Sequence, residues 1–231
     1  MTLAIALLNE NTTGVIMSNH RRYSNVDQFL IEADKVLRAL SSNAHFSAKP
    51  SPAEDIAESE MSQSQRKHSA GLMRVNHTGE VCAQALYQGQ ALTAKSLMVR
   101  EEMEESAKEE VDHLAWCDQR LRQLGSHNSR LNPLFYGLSF GMGAFTGAIG
   151  DKISLGFVAA TEELVCEHLE KHLDNLPRED KKSRTIVSQM LTDEARHQQT
   201  ALDAGGESLP KPVKLGMKLI SKAMTKTAYY I

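Results

Sequence analysis

The sequence predicts an all-α fold built on a four-helix bundle, with extra helical segments at the N-terminus, in an uncharged middle stretch and at the C-terminus. Three observations carry this expectation. Aromatic residues are only 5% of the 231, whereas Ala, Leu, Glu, Lys and Gln abound, and such side chains lose little rotamer freedom in a helix. Apolar residues recur at helical spacing through several stretches. Finally, the chain contains two Glu-x-x-His motifs, Glu110-Val111-Asp112-His113 and Glu194-Ala195-Arg196-His197, and each follows a further Glu, Glu80 or Glu162, by 30 or 32 residues. Two helices of about twenty residues joined by a turn give that interval. The chain therefore reads as two copies of helix-Glu, turn, helix-Glu-x-x-His. Residues three apart share a helix face, so each motif points a carboxylate and an imidazole the same way. Four inward Glu and two inward His are the ligand set of a dinuclear carboxylate metal site in a bundle.

Composition narrows the class. An apolar fraction of 41% and a charged fraction of 24% suit a globular protein, and a net charge of −3 gives no reason to expect nucleic acid as a partner. Cys82, Cys117 and Cys166 form no CxxC, which argues for a reducing cytoplasm and against a disulfide framework or a thiolate zinc site. Leu3 to Leu8 is apolar but lacks a basic flank, so no secretion signal is expected. Residues 1–22 are expected to be a disordered extension, with Met17 an alternative start, and 23–231 one domain.

A first helix is expected over Asp27–Leu40, with Phe29, Leu30, Val36, Leu37 and Leu40 on one side and Asn25 or Asp27 as cap. Residues 41–67, rich in Ser, Ala, Pro and Glu, read as a flexible exposed loop. The first core helix, His68–Ser96, carries Met73, His77, Glu80, Gln84, Tyr87 and Ala91 along one stripe; Gly79 and Gly89 are costly there unless packing is close. His77 is either a partner to a ligand or a surface residue. The second, Glu101–Leu124, opens on a solvated acidic face, buries Met103, Ala107, Glu110, His113, Leu114, Cys117 and Leu121, leaves Glu109 outside, and stops at Gly125.

Residues 131–152 form a hydrophobic segment expected to face a membrane, with no charge from Leu131 to Gly150. Three readings compete: a buried bundle connection, an element dipping into a membrane face, and a span, for which its Gly and Pro content makes it poor. Its pairs Gly137/Gly141 and Gly143/Gly147 allow backbones to approach closely. In the third core helix, Ile153–Leu176, Glu162 sits mid-stripe between Val158 and Val165, whereas Glu163 aligns with Glu167 and Glu170; Glu162 is therefore the inward one. His168 and His172 lie away from that face and read as surface or interface residues. In the fourth, Ser183–Ala204, Ile186, Val187, Met190, Glu194, His197 and Ala201 point inward. Asp112 and Asp193 are candidates to accept a hydrogen bond from a metal-bound imidazole. After Pro212, lysines every four residues opposite Met217, Ile220 and Met224 make a basic amphipathic helix, suited to an anionic membrane or to the bundle.

Carboxylate and imidazole ligands without thiolate suit iron or manganese better than structural zinc. Hydroxylation, desaturation, radical generation, ferroxidation and peroxide reduction are all open to such a site, and ligands alone do not choose among them. The apolar stretch and the basic helix tilt the choice toward a lipid-like substrate.

Arg74-Val75-Asn76-His77-Thr78-Gly79-Glu80, continuing through Tyr87-Gln88-Gly89-Gln90, closely resembles the opening motif of the demethoxyubiquinone hydroxylases of ubiquinone biosynthesis. Glu110-x-x-His113-Leu114, Ala160-Thr161-Glu162-Glu163 and Asp193-Glu194-x-x-His197 fit the same family in order and spacing, over roughly Tyr23 to Ile231. The resemblance implies a ferritin-like di-iron monooxygenase, peripheral on the cytoplasmic side of the inner membrane, that uses O2 to hydroxylate 2-polyprenyl-3-methyl-6-methoxy-1,4-benzoquinol. It also implies Glu80, Glu110, His113, Glu162, Glu194 and His197 as the iron ligands, with Glu110 or Glu194 bridging along with a Glu from the other half. Membrane lipid, other proteins of ubiquinone biosynthesis and a second copy of the chain are the expected partners, and the quinol is a candidate electron source. Two alternatives stand beside this reading, an iron-storage or ferroxidase bundle and a metal-free membrane-binding module.

Overall fold

A computed structural model describes residues 24–40 and 47–231; the expected extension 1–22 and positions 41–46 of the expected loop lie outside the described residues. Helix formation starts at α1 (Asn25–Leu40), where Ser24 Oγ accepts from the Asp27 N–H at 3.2 Å and Asp27 accepts from the Ser24 N–H at 2.8 Å. Ser24 is thus the cap, not Asn25 or Asp27. Val36 and Leu40 pack toward Val81 and Ala85, while Leu30 and Leu37, expected inward, face solvent.

A second reciprocal cap fixes the longest helix, α2 (Gln63–Thr93): Gln65 N–H donates to Ser62 Oγ and Ser62 N–H to Gln65 Oε1. The helix begins at Gln63 rather than His68 because its first turn is polar and carries no apolar period. It is followed by α3 (Leu97–Gln123), α4 (Asn132–Ile149), α5 (Asp151–Asn175), α6 (Lys181–Asp203) and α7 (Lys211–Ala228), and among the described residues there is no strand. α2 packs on α3, and α5 on α6, which forms the four-helix core; α4 lies along α2 and α7 contacts α2 and α5. Nearly every residue of α2 from Ser69 to Ala91 is consequently buried.

Close approach of α4 to α2 needs glycine on both sides. A Cβ on Gly89 would meet the Phe140 carbonyl, and one on Gly143 the Leu86 carbonyl. Gly147 is equally confined by Thr93, but Gly137 and Gly141 have open space, so only one of the two small-residue pairs is used. The opposite face of α4 is an exposed apolar ridge of Leu134, Leu138, Met142, Phe145 and Ile149. Among the described residues no helix is long and apolar enough to cross a membrane.

Residues 47–62, expected within a flexible loop, form a strap pinned to α3. Asp112 Oδ1 accepts from Ser47 Oγ at 2.8 Å and from the Ala48 N–H at 2.7 Å, and Trp116 Nε1 donates to the Lys49 carbonyl at 3.2 Å. Arg120, 1% exposed, then pairs with Glu58 of the strap at 2.6 Å and Asp180 before α6 at 2.7 Å. Backbone and side-chain polar groups hold this segment, which is why apolar periodicity misses it. α7 is fastened similarly: Arg74 Nη1 donates to the Tyr229 carbonyl, Lys214 pairs with Glu163 and Lys218 with Glu167. Met217 and Met224 turn toward the bundle, but Ile220 points outward with Leu215 and Leu219.

Candidate metal centre

Four helices each bring an acid to the same buried volume: Glu80 from α2, Glu110 from α3, Glu162 from α5 and Glu194 from α6, none more than 2% exposed. His113 and His197 join them one turn after Glu110 and Glu194. All six sequence-predicted side chains are therefore in the interior between the helices. His113 Nδ1 lies 2.9 Å from Glu194 Oε1, 3.3 Å from Glu110 Oε2 and 3.7 Å from Glu80 Oε2. His197 Nδ1 lies 3.0 Å from Glu194 Oε2 and 3.5 Å from Glu110 Oε1. Glu110 and Glu194 thus each present one oxygen to each imidazole. Glu80 stands on the His113 side, and Tyr87 OH donates to Glu162 Oε1 at 2.6 Å.

The outer nitrogens are held by a cross-brace. His113 Nε2 meets Asp193 Oδ2 at 3.1 Å, and His197 Nε2 meets Glu109 Oε2 at 2.6 Å. Asp193 precedes Glu194 and Glu109 precedes Glu110, so each motif's leading acid braces the other motif's histidine. Arg196 and Lys49 flank Glu109 at 2.9 and 3.8 Å. Glu109, expected outside the site, is part of it, and the matching position of Asp193 is the signal that could have found it. Asp112, the other candidate brace, instead anchors the strap. His77 is buried, with Asn132 Nδ2 3.3 Å from its Nδ1, so the surface reading falls.

Electrostatics follow from confining four carboxylates away from water. Burial, reinforced by the neighbouring Glu194, pushes Glu110 and Glu162 well above the carboxylate range. Burial opposes charge on Glu194 as well, but hydrogen bonds from His113 and His197 outweigh it and hold this acid at about 2. For His197 the same bond overcomes burial and raises it to about 9; His113, bonded to Asp193, Glu110 and Glu194, is also raised. Such a cluster needs positive charge inside it. Glu110 Oε1 and Glu162 Oε2 have no hydrogen-bond donor, and both histidines aim Nδ1 inward while Nε2 is engaged outside, an arrangement that fits metal ions with oxygen and nitrogen ligands. Ligand atoms of Glu80, Glu110, His113 and Glu194 lie within 4.8 Å of one another, close enough to share one ion.

Carboxylates and histidines gathered at the centre of two packed helix pairs define the class: a ferritin-like helical bundle with a buried candidate metal centre. The chain belongs to the family of the ubiquinone biosynthesis protein COQ7, whose family model matches residues 67–228. It is 60% identical over 215 residues, 93% of this chain and all of the relative, to a protein of Pseudomonas fluorescens Pf-5 named 3-demethoxyubiquinol 3-hydroxylase. Relatives with the same name in Pseudomonas syringae and Stutzerimonas stutzeri are 59% and 60% identical over the same extent.

Proposed function

We propose that this protein is a di-iron monooxygenase that uses O2 to hydroxylate demethoxyubiquinol, working from the cytoplasmic side of the inner membrane. The observation that carries the reading is the sharing of Glu110 and Glu194 between two imidazoles, with undonated carboxylate oxygens facing inward. The names of the relatives supply the substrate class.

In this reading Glu80, Glu110, His113, Glu162, Glu194 and His197 would hold the two irons, with Glu110 and Glu194, which face both imidazoles, common to the pair. Bound iron supplies the electrons for splitting dioxygen, which no side chain supplies. The rest is done by the chain. Glu109 and Asp193 take the outer N–H of each imidazole and leave Nδ1 free to ligate. Tyr87 fixes one oxygen of Glu162, and the packed helices exclude water from the reacting volume.

The apolar ridge of α4 and the outward Leu215, Leu219 and Ile220 of α7, with Lys222 and Lys226 exposed beside them, support a surface resting on anionic lipid, where an isoprenoid tail enters. The exposed apolar faces of α1 and α7 also suit a second copy or another protein of ubiquinone biosynthesis. Protein purified without oxygen should hold two irons per chain and turn over a short-tailed demethoxyubiquinol when oxygen is admitted. Undiminished turnover by Glu194→Ala would overturn the reading, and a hollow assembly with many irons per chain would replace it with iron storage.

A further inference from the structure

Between Glu80 and Tyr87 on α2 stands Gln84, and its carboxamide oxygen is a buried acceptor for which neither fold nor metal centre accounts. A helix turns about 100° per residue, so Gln84 points within roughly 40° of Glu80 and Tyr87 within roughly 20°. Both flanking residues reach the centre: Glu80 Oε2 comes to 3.7 Å from His113 Nδ1, and Tyr87 bonds Glu162. Gln84 is 5% exposed, and its Oε1 is buried with no hydrogen-bond partner. Gln88 Oε1, on the same helix, is spent on packing, where it accepts from Tyr136 OH. Gln90 Oε1 is also without a donor, but Gln90 turns about 80° from Glu80 and its Nε2 is tied to the Ser154 carbonyl, away from the centre. Buried acceptors are almost always satisfied, and an exception beside a reactive site points to a donor that arrives with the ligand.

We infer that Gln84 is a substrate-positioning residue, whose carboxamide oxygen accepts a hydrogen bond from a ring hydroxyl of the quinol and so sets the ring against the Glu80–Tyr87 face of the centre. This rests on the proposed function, which supplies a substrate with hydroxyl donors. A neutral carboxamide suits the task better than a fifth acid, because it neither adds charge to the cluster nor competes for the cations. The bond forms with the quinol and not with the corresponding quinone, which has no O–H to donate.

Binding without turnover tests it. Trp116, the single tryptophan, has its ring 5.3 Å from that of His113, so its fluorescence reports on the site. Metal-free full-length protein should be titrated anaerobically with a demethoxyubiquinol carrying one isoprene unit, and with its quinone. Wild type should prefer the quinol about three- to tenfold, the range of one neutral hydrogen bond, and Gln84→Met should bind both forms equally. The iron-loaded variant should keep two irons per chain and show raised KM with kcat less affected; Gln84→Leu, tested in parallel, should behave alike. An unchanged quinol preference in both variants overturns the assignment while leaving the proposed function intact. Wild type that binds no quinol, metal-free or iron-loaded, removes the proposed function and this assignment with it.

Discussion

Glu109 Oε2 sits 2.6 Å from His197 Nε2, reaching across from α3 to brace the imidazole of α6. Asp193 does the same in the opposite direction at 3.1 Å, and Gln189 steadies Asp193 at 3.2 Å. Outer carboxylates of this kind fix the ring orientation and raise its basicity, and losing one costs about 10- to 100-fold in metal affinity. Glu109→Ala and Asp193→Ala should each weaken iron binding by that factor in an anaerobic titration. Asp112→Ala should leave it unchanged, since Asp112 holds the strap; equal losses in all three would show that the variants act by loosening the bundle.

The stretches that were legible share one property. Glu80, Glu110, Glu162 and Glu194 interrupt apolar stripes at the same phase in a chain that repeats itself, and chance rarely places four acids so. What escaped does not announce itself by period. Glu109 is one residue off the stripe, and only its long side chain lets it turn back. Arg120 is buried because Glu58 and Asp180 surround its charge, and Glu58 comes from a segment with no apolar rhythm. His172 read as a surface or interface residue; it is 5% exposed, not on the surface, and donates from Nδ1 to Asn76 Oδ1 of α2 at 2.6 Å.

Packing of α4 on α2 makes two glycines of one helix unequal. Gly143→Ala would drive a methyl into the Leu86 carbonyl, and backbone cannot step aside, so a loss of about 1–3 kcal/mol is expected. Gly137→Ala meets only open space and should gain about 0.5–1 kcal/mol through helix propensity. Chemical denaturation of the two variants measures both; a neutral Gly143→Ala would mean the helices stand further apart.

On the other side of that helix, Leu138 and Phe145 are 64% and 63% exposed in a continuous ridge. Replacing both by Glu removes apolar area and adds charge on the surface proposed to rest on lipid, without touching the glycine contact. Flotation with anionic vesicles should fall severalfold, while helix content and iron binding stay as in wild type. Retained flotation would move the lipid-facing surface to α7.

Acid should destabilise the protein through His168 and His172, whose rings lie 4.0 Å apart between α5 and α2. Burial lowers them from 6.5 to about 4 and about 3, with the charge of Lys171 acting further on His168 and those of His168 and His68 on His172. Because the folded values are depressed, between those values and 6.5 the unfolded chain takes up protons that the folded chain refuses. Their stabilising contribution is therefore complete above 6.5, declines as pH falls through that value, and levels off only below the folded values. At pH 5 the loss is about 2 kcal/mol for each histidine. His172→Gln keeps a donor toward Asn76 and cannot take up the proton, so the fall in unfolding free energy from pH 7 to 5 should be smaller by that amount than in wild type. The comparison is made on metal-free protein, where the groups of the metal centre are common to both and cancel. Identical pH slopes would mean that water reaches these rings in the folded state.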